Sequence, residues 1–449
     1  MVTLAAADQL IWGLPPVAGD PAVIRTVALF APALVVAALI AVHRPSTRDI
    51  AAAIVATAWS GITIFGLNLL AFRMGWWSFH AQGAVALGIP VDLWIGWAVL
   101  WGVLPVLLAR DLPLPLVVGA IVWLDLILMP LTAPVVRLDP GWLTGEAVGV
   151  VLCLLPAVLL GHWTRHDRLL GVRVWAQAGL AGAIMVGLPL YLLGAEPAWS
   201  VPATAAGVQV LTVVLLPGLA AALEFARAGG GTPLPYDPPK RLVTTGPYAY
   251  VRNPMQLSVV VAYIGCAVLT AEPRLLIGAL VGFAYGAGIA SWHEGDQLQS
   301  VFGASWARYR AAVRPWAPRA RPWAGCPEAT LYVAGGCDMC SGLGGWVAAR
   351  RPVALLLRPA EAHPGALRRL TYESTDGTRA TGIAALARAL EHIHLGWALL
   401  GWLLVLPGVG WFAQLMADAL GAGPKEPRPR TDSGSALGTD TDAALDDAR

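Results

Sequence analysis

Lys240-Arg-Leu-Val-Thr-Thr-Gly-Pro-Tyr-Ala-Tyr-Val-Arg-Asn-Pro-Met-Gln-Leu257 joins two kinds of chain. Up to Asn253 it is basic and polar, with Gly246-Pro247 marking a turn. From Pro254 it becomes apolar and stays so to residue 270. Proline is well placed to open a helix, because the N–H it lacks would have no partner there. Such a helix points unpaired N–H groups and a partial positive charge at the loop, beside Arg252. A basic loop that ends in an abrupt apolar helix is a membrane pattern.

The pattern repeats outward from this stretch. A hydrocarbon core about 30 Å thick needs about 20 mostly apolar residues per helix. On that measure nine spans are expected, near 24–42, 50–72, 92–109, 113–131, 143–161, 175–195, 204–225, 255–270 and 274–291. Composition agrees: 57% of the 449 residues are hydrophobic and 13% charged, against about 25% charged in a soluble protein. A net charge of +2 gives no global attraction to acidic partners, so nucleic acid is not expected as one. Residues 1–290 hold 14 basic and 13 acidic side chains, and the shorter remainder holds 16 and 15. The charge deficit therefore lies in the first two thirds.

Lys and Arg mark the inner side of a membrane protein. With the N-terminus outside, the inner loops hold Arg44, Arg48, Arg110, Arg165, Arg168, Arg173, Arg227, Lys240, Arg241 and Arg252, and the outer ones Arg25, Arg73, Arg137 and Arg274. The ten-to-four excess predicts an outside N-terminus, with everything after residue 291 in the cytoplasm of a multi-pass cell-membrane protein. Met1 to Asp20 lacks a basic n-region and carries Asp8 and Asp20, so no cleavable signal peptide is expected.

Two features inside the spans stand out. Trp76, Trp77, Trp94, Trp97 and Trp101 cluster around the second and third spans. They read either as an interfacial belt with helix packing or as the wall of a site for an isoprenoid or another flat apolar ligand. Asp125 lies near the middle of the fourth span, where an ionisable group marks a proton path or substrate pocket, or else a protonated acid bonded to a neighbouring helix.

Across the hairpin that follows Pro254, the ninth span ends in Trp292-His293-Glu294-Gly295-Asp296. This predicts a polar pocket at the inner interface, floored by the helix N-terminus and walled by Tyr248, Tyr250, Arg252 and Glu294. His293 is adjacent to Glu294 and points elsewhere on a helix, so it reads as interfacial.

These residues also resemble a family. Gly246-Pro247-Tyr248 followed by Arg252-Asn253-Pro254 is similar to the Gly-Pro-Tyr…Arg-His-Pro signature of isoprenylcysteine carboxyl methyltransferases and their phospholipid-methyltransferase relatives. Glu294, Leu298, Phe302-Gly303, Tyr309, Val313 and Pro318 fall at the spacing of the same family's second block. The resemblance covers about 204–318. It implies a helical membrane fold that binds S-adenosylmethionine in a cytoplasmic pocket and takes a lipophilic acceptor sideways from the bilayer. It assigns Gly246, Pro247, Tyr248, Arg252, Asn253, Pro254 and Glu294 to the cofactor, with Arg252 and Glu294 also placed to orient an acceptor as catalytic residues. Asn253 stands where the family usually has His, which removes a group that titrates near neutral pH. Gln256 replaces a common Tyr, and Gly295 a frequent second Glu.

Beyond the ninth span Arg308, Arg310, Arg314, Arg319 and Arg321 interleave with Trp306, Trp316 and Trp323, the pattern of a segment lying on an inner leaflet. Residues 329–333 and 353–357 then read as short buried strands, and 382–392 as a helix, so a small α/β domain is expected. Between strand and helix lies Cys337-Asp338-Met339-Cys340. A thiol at a helix N-terminus is acidified, and in a reducing compartment such a pair serves redox chemistry or metal binding. No second pair has zinc spacing, so no metal is expected. The segment, over about 328–421, resembles DCC-type thiol-disulfide oxidoreductases, a thioredoxin-like group whose usual pattern is Tyr-Asp-Gly-x-Cys-x-x-Cys; Ala334 replaces that Asp. The resemblance implies Cys337 and Cys340 as catalytic thiols with a redox partner. The apolar run 395–406 is too short before Pro407 for a tenth span, and the tail from Gly423 is expected to be disordered.

The chain thus reads as a polytopic α-helical membrane protein with a C-terminal cytoplasmic thioredoxin-like α/β domain. Its parts are 1–200 (helices of no assigned family), 201–320 (methyltransferase-like core), 326–421 (thioredoxin-like) and 422–449 (tail). The alternatives are an NADPH-dependent reductase of the sterol-reductase kind, and a redox-responsive lipid sensor without enzymatic activity.

Overall fold

Helix-forming signals and apolar length act together along the first part of the chain. The computed structural model describes residues 20–232, 239–334 and 338–424; the side chains of 289–291, 293, 294 and 338–340 lie outside that description. So do the start, where no signal peptide is expected, and the tail from 425. The chain divides into two units, Met1–Val243 with Met255–Asp296, and Thr244–Pro254 with Gln297–Arg449.

In the first unit, α1 (Pro21–His43) is capped by Asp20, whose side chain accepts from Ala22 N at 2.8 Å. α2 (Thr47–Met74) opens with a capping box: Ser46 Oγ accepts from Asp49 N, and Asp49 Oδ2 accepts from Ser46 N. It stops at Gly75, in the left-handed region at φ 65°. Two short antiparallel pairs follow from the loops. β1 (Trp77–Phe79) pairs with the later β4 (Val136–Leu138), and β2 (Val85–Ala86) with β3 (Ile89–Pro90). The remaining long helices are α3 (Val91–Leu108), α4 (Leu114–Leu131), α5 (Trp142–Arg165), α6 (Leu170–Leu192) and α7 (Val201–Gly229). α3 and α1 approach so closely at Gly96 that a Cβ there would strike the Ala28 carbonyl.

Among the described residues seven helices, α1 to α7, are long and apolar enough to cross a membrane, or eight with the bent pair of the second unit, against the nine expected. The eighth and ninth exist as α8 (Pro254–Thr270) and α9 (Leu275–Gly288), but both are short of a full span. α8 is stopped by Ala271 at φ 50° and Pro273, where the sequence also ends the eighth span.

The core of this unit gathers Ile64, Leu67, Leu93, Ile121, Met129 and Leu154 around Trp76, Trp77 and Trp101. Those three indoles are buried, so they pack the bundle and do not form a lipid-facing belt. Five cations expected on one side do meet there: Arg165 and Arg110 reach Asp49 at 3.1 and 3.8 Å, and Lys240, Arg173 and Arg48 reach Asp167 at 2.8, 3.1 and 3.4 Å. The Lys240 hydrogen bond, more than any other contact, holds Asp167 below the ordinary carboxylate range.

The second unit contains α10 (Ser291–Ala312, entered from the first unit and kinked at Gly303) and an α/β fold. β5 (Ala329–Val333), β6 (Leu355–Pro359), β7 (Thr371–Ser374) and β8 (Arg379–Thr381) form one sheet in the order β6-β5-β7-β8. β5 and β6 are parallel and joined through α11 (Asp338–Ala349); the other pairs are antiparallel. Alternating burial along β5 places Leu331 in a core with Val347, Ala385, Ala389 and Leu390. α12 (Ile383–Leu390) supplies that face. α13 (Leu395–Val405) and α14 (Pro407–Ala422) meet at a 94° bend; by length and composition the pair could be one broken span or a re-entrant loop. The small α/β fold is as expected, with its second strand two residues later.

Candidate active site

The turn at 244–254 is held by backbone chemistry. Gly246 sits at φ 58°, a conformation that favours glycine, and starts a short 3₁₀ turn through Ala249. Gly246, Pro247, Tyr248 and Ala249 are buried. The chain then runs beside residues 314–323. Arg252 N donates to Arg314 O at 2.9 Å and Asn253 N to Pro315 O at 3.2 Å; Arg319 N and Trp323 N donate back to Tyr250 O and Ala249 O. Tyr309, on α10, donates its hydroxyl to Tyr248 O at 2.9 Å. The expected Gly-Pro-Tyr turn and the expected Tyr…Val…Pro block are therefore brought together, through main-chain bonds that no side-chain pattern announces.

Tyr250 is fully buried, and its hydroxyl donates to Glu391 O at 2.8 Å. Burial pushes its pKa up. It is a packing residue, where the sequence suggests a pocket wall. Burial raises the Tyr309 hydroxyl in the same way, so both act as neutral donors.

Arg252 differs from these tyrosines. Its guanidinium lies 5.7 Å from the Trp306 ring centroid and donates to Arg310 O at 3.2 Å. It takes no further hydrogen-bond partner among the described residues. Burial first, then neighbouring Arg310, lowers its pKa, though a guanidinium remains charged throughout the physiological range. With five N–H donors and an aromatic ring beside it, this group has donor capacity that the described residues leave unused. Pro254 begins α8, as expected.

Three candidates lie elsewhere. The side chain of Glu294, near the start of α10, is outside the described residues, as are Cys337 and the side chain of Cys340. β5 ends at Val333 and α11 is described from Asp338, so Cys340 is the third residue of that helix and Cys337 precedes it in sequence. In sequence Trp306 is one aromatic of an Arg-rich run; its place beside the Arg252 guanidinium appears only in the fold.

Residues 228–305 match the family model for phospholipid methyltransferase (PEMT). That range contains the whole 240–257 stretch and Glu294. No curated protein and no solved structure matches the chain.

Proposed function

We propose that residues 204–318 form a membrane methyltransferase that uses S-adenosylmethionine and acts on a lipophilic, isoprenoid or lipid-like acceptor. The observation that carries this is the match to phospholipid methyltransferase over 228–305, a range that contains the turn with Arg252. The residues fit the cofactor's chemistry: Arg252 offers donors to its amino-acid carboxylate, and Trp306 backs the cation. S-adenosylmethionine would bring an electrophilic methyl carbon. The chain's part is to orient donor and acceptor in line and exclude water. Gly246, Pro247 and Tyr248 fix the turn, Asn253 sets its backbone, and Glu294 orients the acceptor. Asn253 cannot take a proton as His would, so an acceptor that enters as a carboxylate suits this site best. The Lys/Arg excess supports a cytoplasmic face for it.

The experiment is a calorimetric titration of the whole protein in lipid nanodiscs with S-adenosylmethionine and, separately, with NADPH. Saturable S-adenosylmethionine binding that weakens at least tenfold in Arg252→Ala and in Glu294→Ala supports the reading. Binding of NADPH alone transfers the assignment to a reductase, and binding of neither removes both.

For the 326–421 unit the proposal is a thioredoxin-like domain in which Cys337 and Cys340 exchange with a thiol partner. Its support is the parallel β5–α11–β6 crossover, with Cys340 in the first turn of α11 and Cys337 just before that helix in sequence. Cys153, Cys266 and Cys326 are all buried, and burial pushes the Cys326 thiol up to about 11, so a thiol reagent at neutral pH reports on the pair. Reduced protein should lose fast alkylation in Cys337→Ser. A redox sensor would also lose its response in that variant, whereas an independent methyltransferase would keep its turnover.

A further inference from the structure

The membrane bundle of the first unit contains a second chemically distinctive space, far in sequence from the methyltransferase-like turn. Four indoles, Trp77, Trp94, Trp97 and Trp101, line a pocket together with Asp125 and Glu146. Its cavity volume is about 50 Å³. A single water needs only about 10–15 Å³ by that measure, so the space is more than a packing flaw.

The polar groups on its wall are unevenly supplied. Trp77 and Trp94 have committed their N–H groups, to Asn68 Oδ1 at 2.9 Å and Gly61 O at 2.6 Å. Trp97 donates to Asp125 Oδ1 at 2.6 Å. Asp125 is 0% and Glu146 5% exposed, and the two carboxyl groups lie within hydrogen-bonding range of each other. Yet Asp125 Oδ2 and Glu146 Oε1 meet no donor among the described residues. Both sit within helices long enough to span the membrane, α4 and α5, where water is not freely available to make up the shortfall and acidic groups are costly.

We propose that this pocket binds a lipophilic ammonium ion: an amine head seated between Asp125 and Glu146, with an alkyl or isoprenoid chain running among the indoles. The head's chemistry follows from what the wall lacks. A hydroxyl brings one donor and leaves the second acid unmatched, whereas a primary ammonium brings three donors and a positive charge. Aromatic walls attract cations and repel anions. Trp101 Nε1, a donor without an acceptor among the described residues, is satisfied if the head also carries an oxygen beside the nitrogen. The site does not depend on the methyltransferase reading and uses none of its residues.

The test uses whole protein in nanodiscs, with octylamine, octanol and octanoate as probes, and reads both tryptophan fluorescence and melting temperature. Octylamine should quench saturably, bind at least tenfold more tightly than octanol or octanoate, and raise the melting temperature where they do not. Asp125→Asn and Glu146→Gln should each weaken octylamine at least tenfold. Equal effects of octylamine and octanol on the unaltered protein overturn the proposal without recourse to any variant. So does octylamine binding unchanged in both variants, and so does absence of binding, which would leave the two acids sharing a proton or a water.

Discussion

Asp49 and Asp125 are equally hidden in the same bundle, at 3% and 0% exposure, and are treated in opposite ways. Asp49 accepts from the Ser46 hydroxyl and backbone N–H, and is flanked by Arg165 and Arg110. Asp125 receives one indole N–H and faces another acid. Burial alone says nothing about role; the supply of partners does. The saturated carboxylate is structural, locking α2 to the ends of its neighbours. The under-supplied one is open to chemistry from outside the chain.

Substitutions can break that contrast. The largest loss is expected for Asp49→Ala, which strands two arginines in a partly buried cluster. Breaking such a pair costs about 3–5 kcal/mol, read as a fall in melting temperature of the detergent-solubilised protein. An unchanged melting temperature would place Asp49 with the surface charges.

The second unit offers a neutral counterpart, satisfied on both sides. His392 is buried, with Nδ1 2.7 Å from Val353 O and Nε2 2.9 Å from the Tyr372 hydroxyl. Burial lowers its pKa from 6.5 to about 4. Below pH 6.5 the unfolded chain gains a proton that the folded one refuses, so stability falls as pH drops from about 6.5 towards 4. By 1.36 kcal/mol per unit the loss is on the order of 3 kcal/mol. His392→Gln should flatten that dependence in acid-denaturation curves. If the slope persists, another group is responsible.

Trp97→Phe sharpens the contrast further. It removes the one donor that Asp125 has among the described residues, at a cost of about 1–3 kcal/mol in thermal unfolding. Asp125→Asn is expected to be the mildest, within about 1 kcal/mol, because the new amide oxygen still accepts from Trp97. A larger loss there would make Asp125 as structural as Asp49.

Helix type and position were readable wherever apolar length decided them, and the opening of α8 at Pro254 was readable from proline chemistry. Span number was less legible: the break between residues 270 and 274 shows in the sequence, but it leaves α8 and α9 shorter than a full span. β1 and β4 are three residues each, too short to show a period of two. Glu146 was not legible in the same way, because it lies only four residues into α5, where an acid near the end of a span is inconspicuous. At the candidate active site the residue types were visible, but the bonding of 249–253 to 314–323 runs through peptide groups every sequence possesses. That is why Tyr250, a wall on paper, is a packing residue in the fold.

The discontinuity of the second unit has a practical consequence. Domains joined end to end can usually be separated by one cut, and residue 297 looks like the place to make it. Yet Thr244–Pro254 belongs to that unit too, and the Tyr250 hydroxyl reaches Glu391 beyond α12. A fragment beginning at 297 would leave behind a strap that closes its own back, with a vacant slot against Trp402 where the Tyr250 ring now rests edge-on. Dissection of this protein therefore calls for supplying the 244–254 peptide in trans or grafting it onto the fragment.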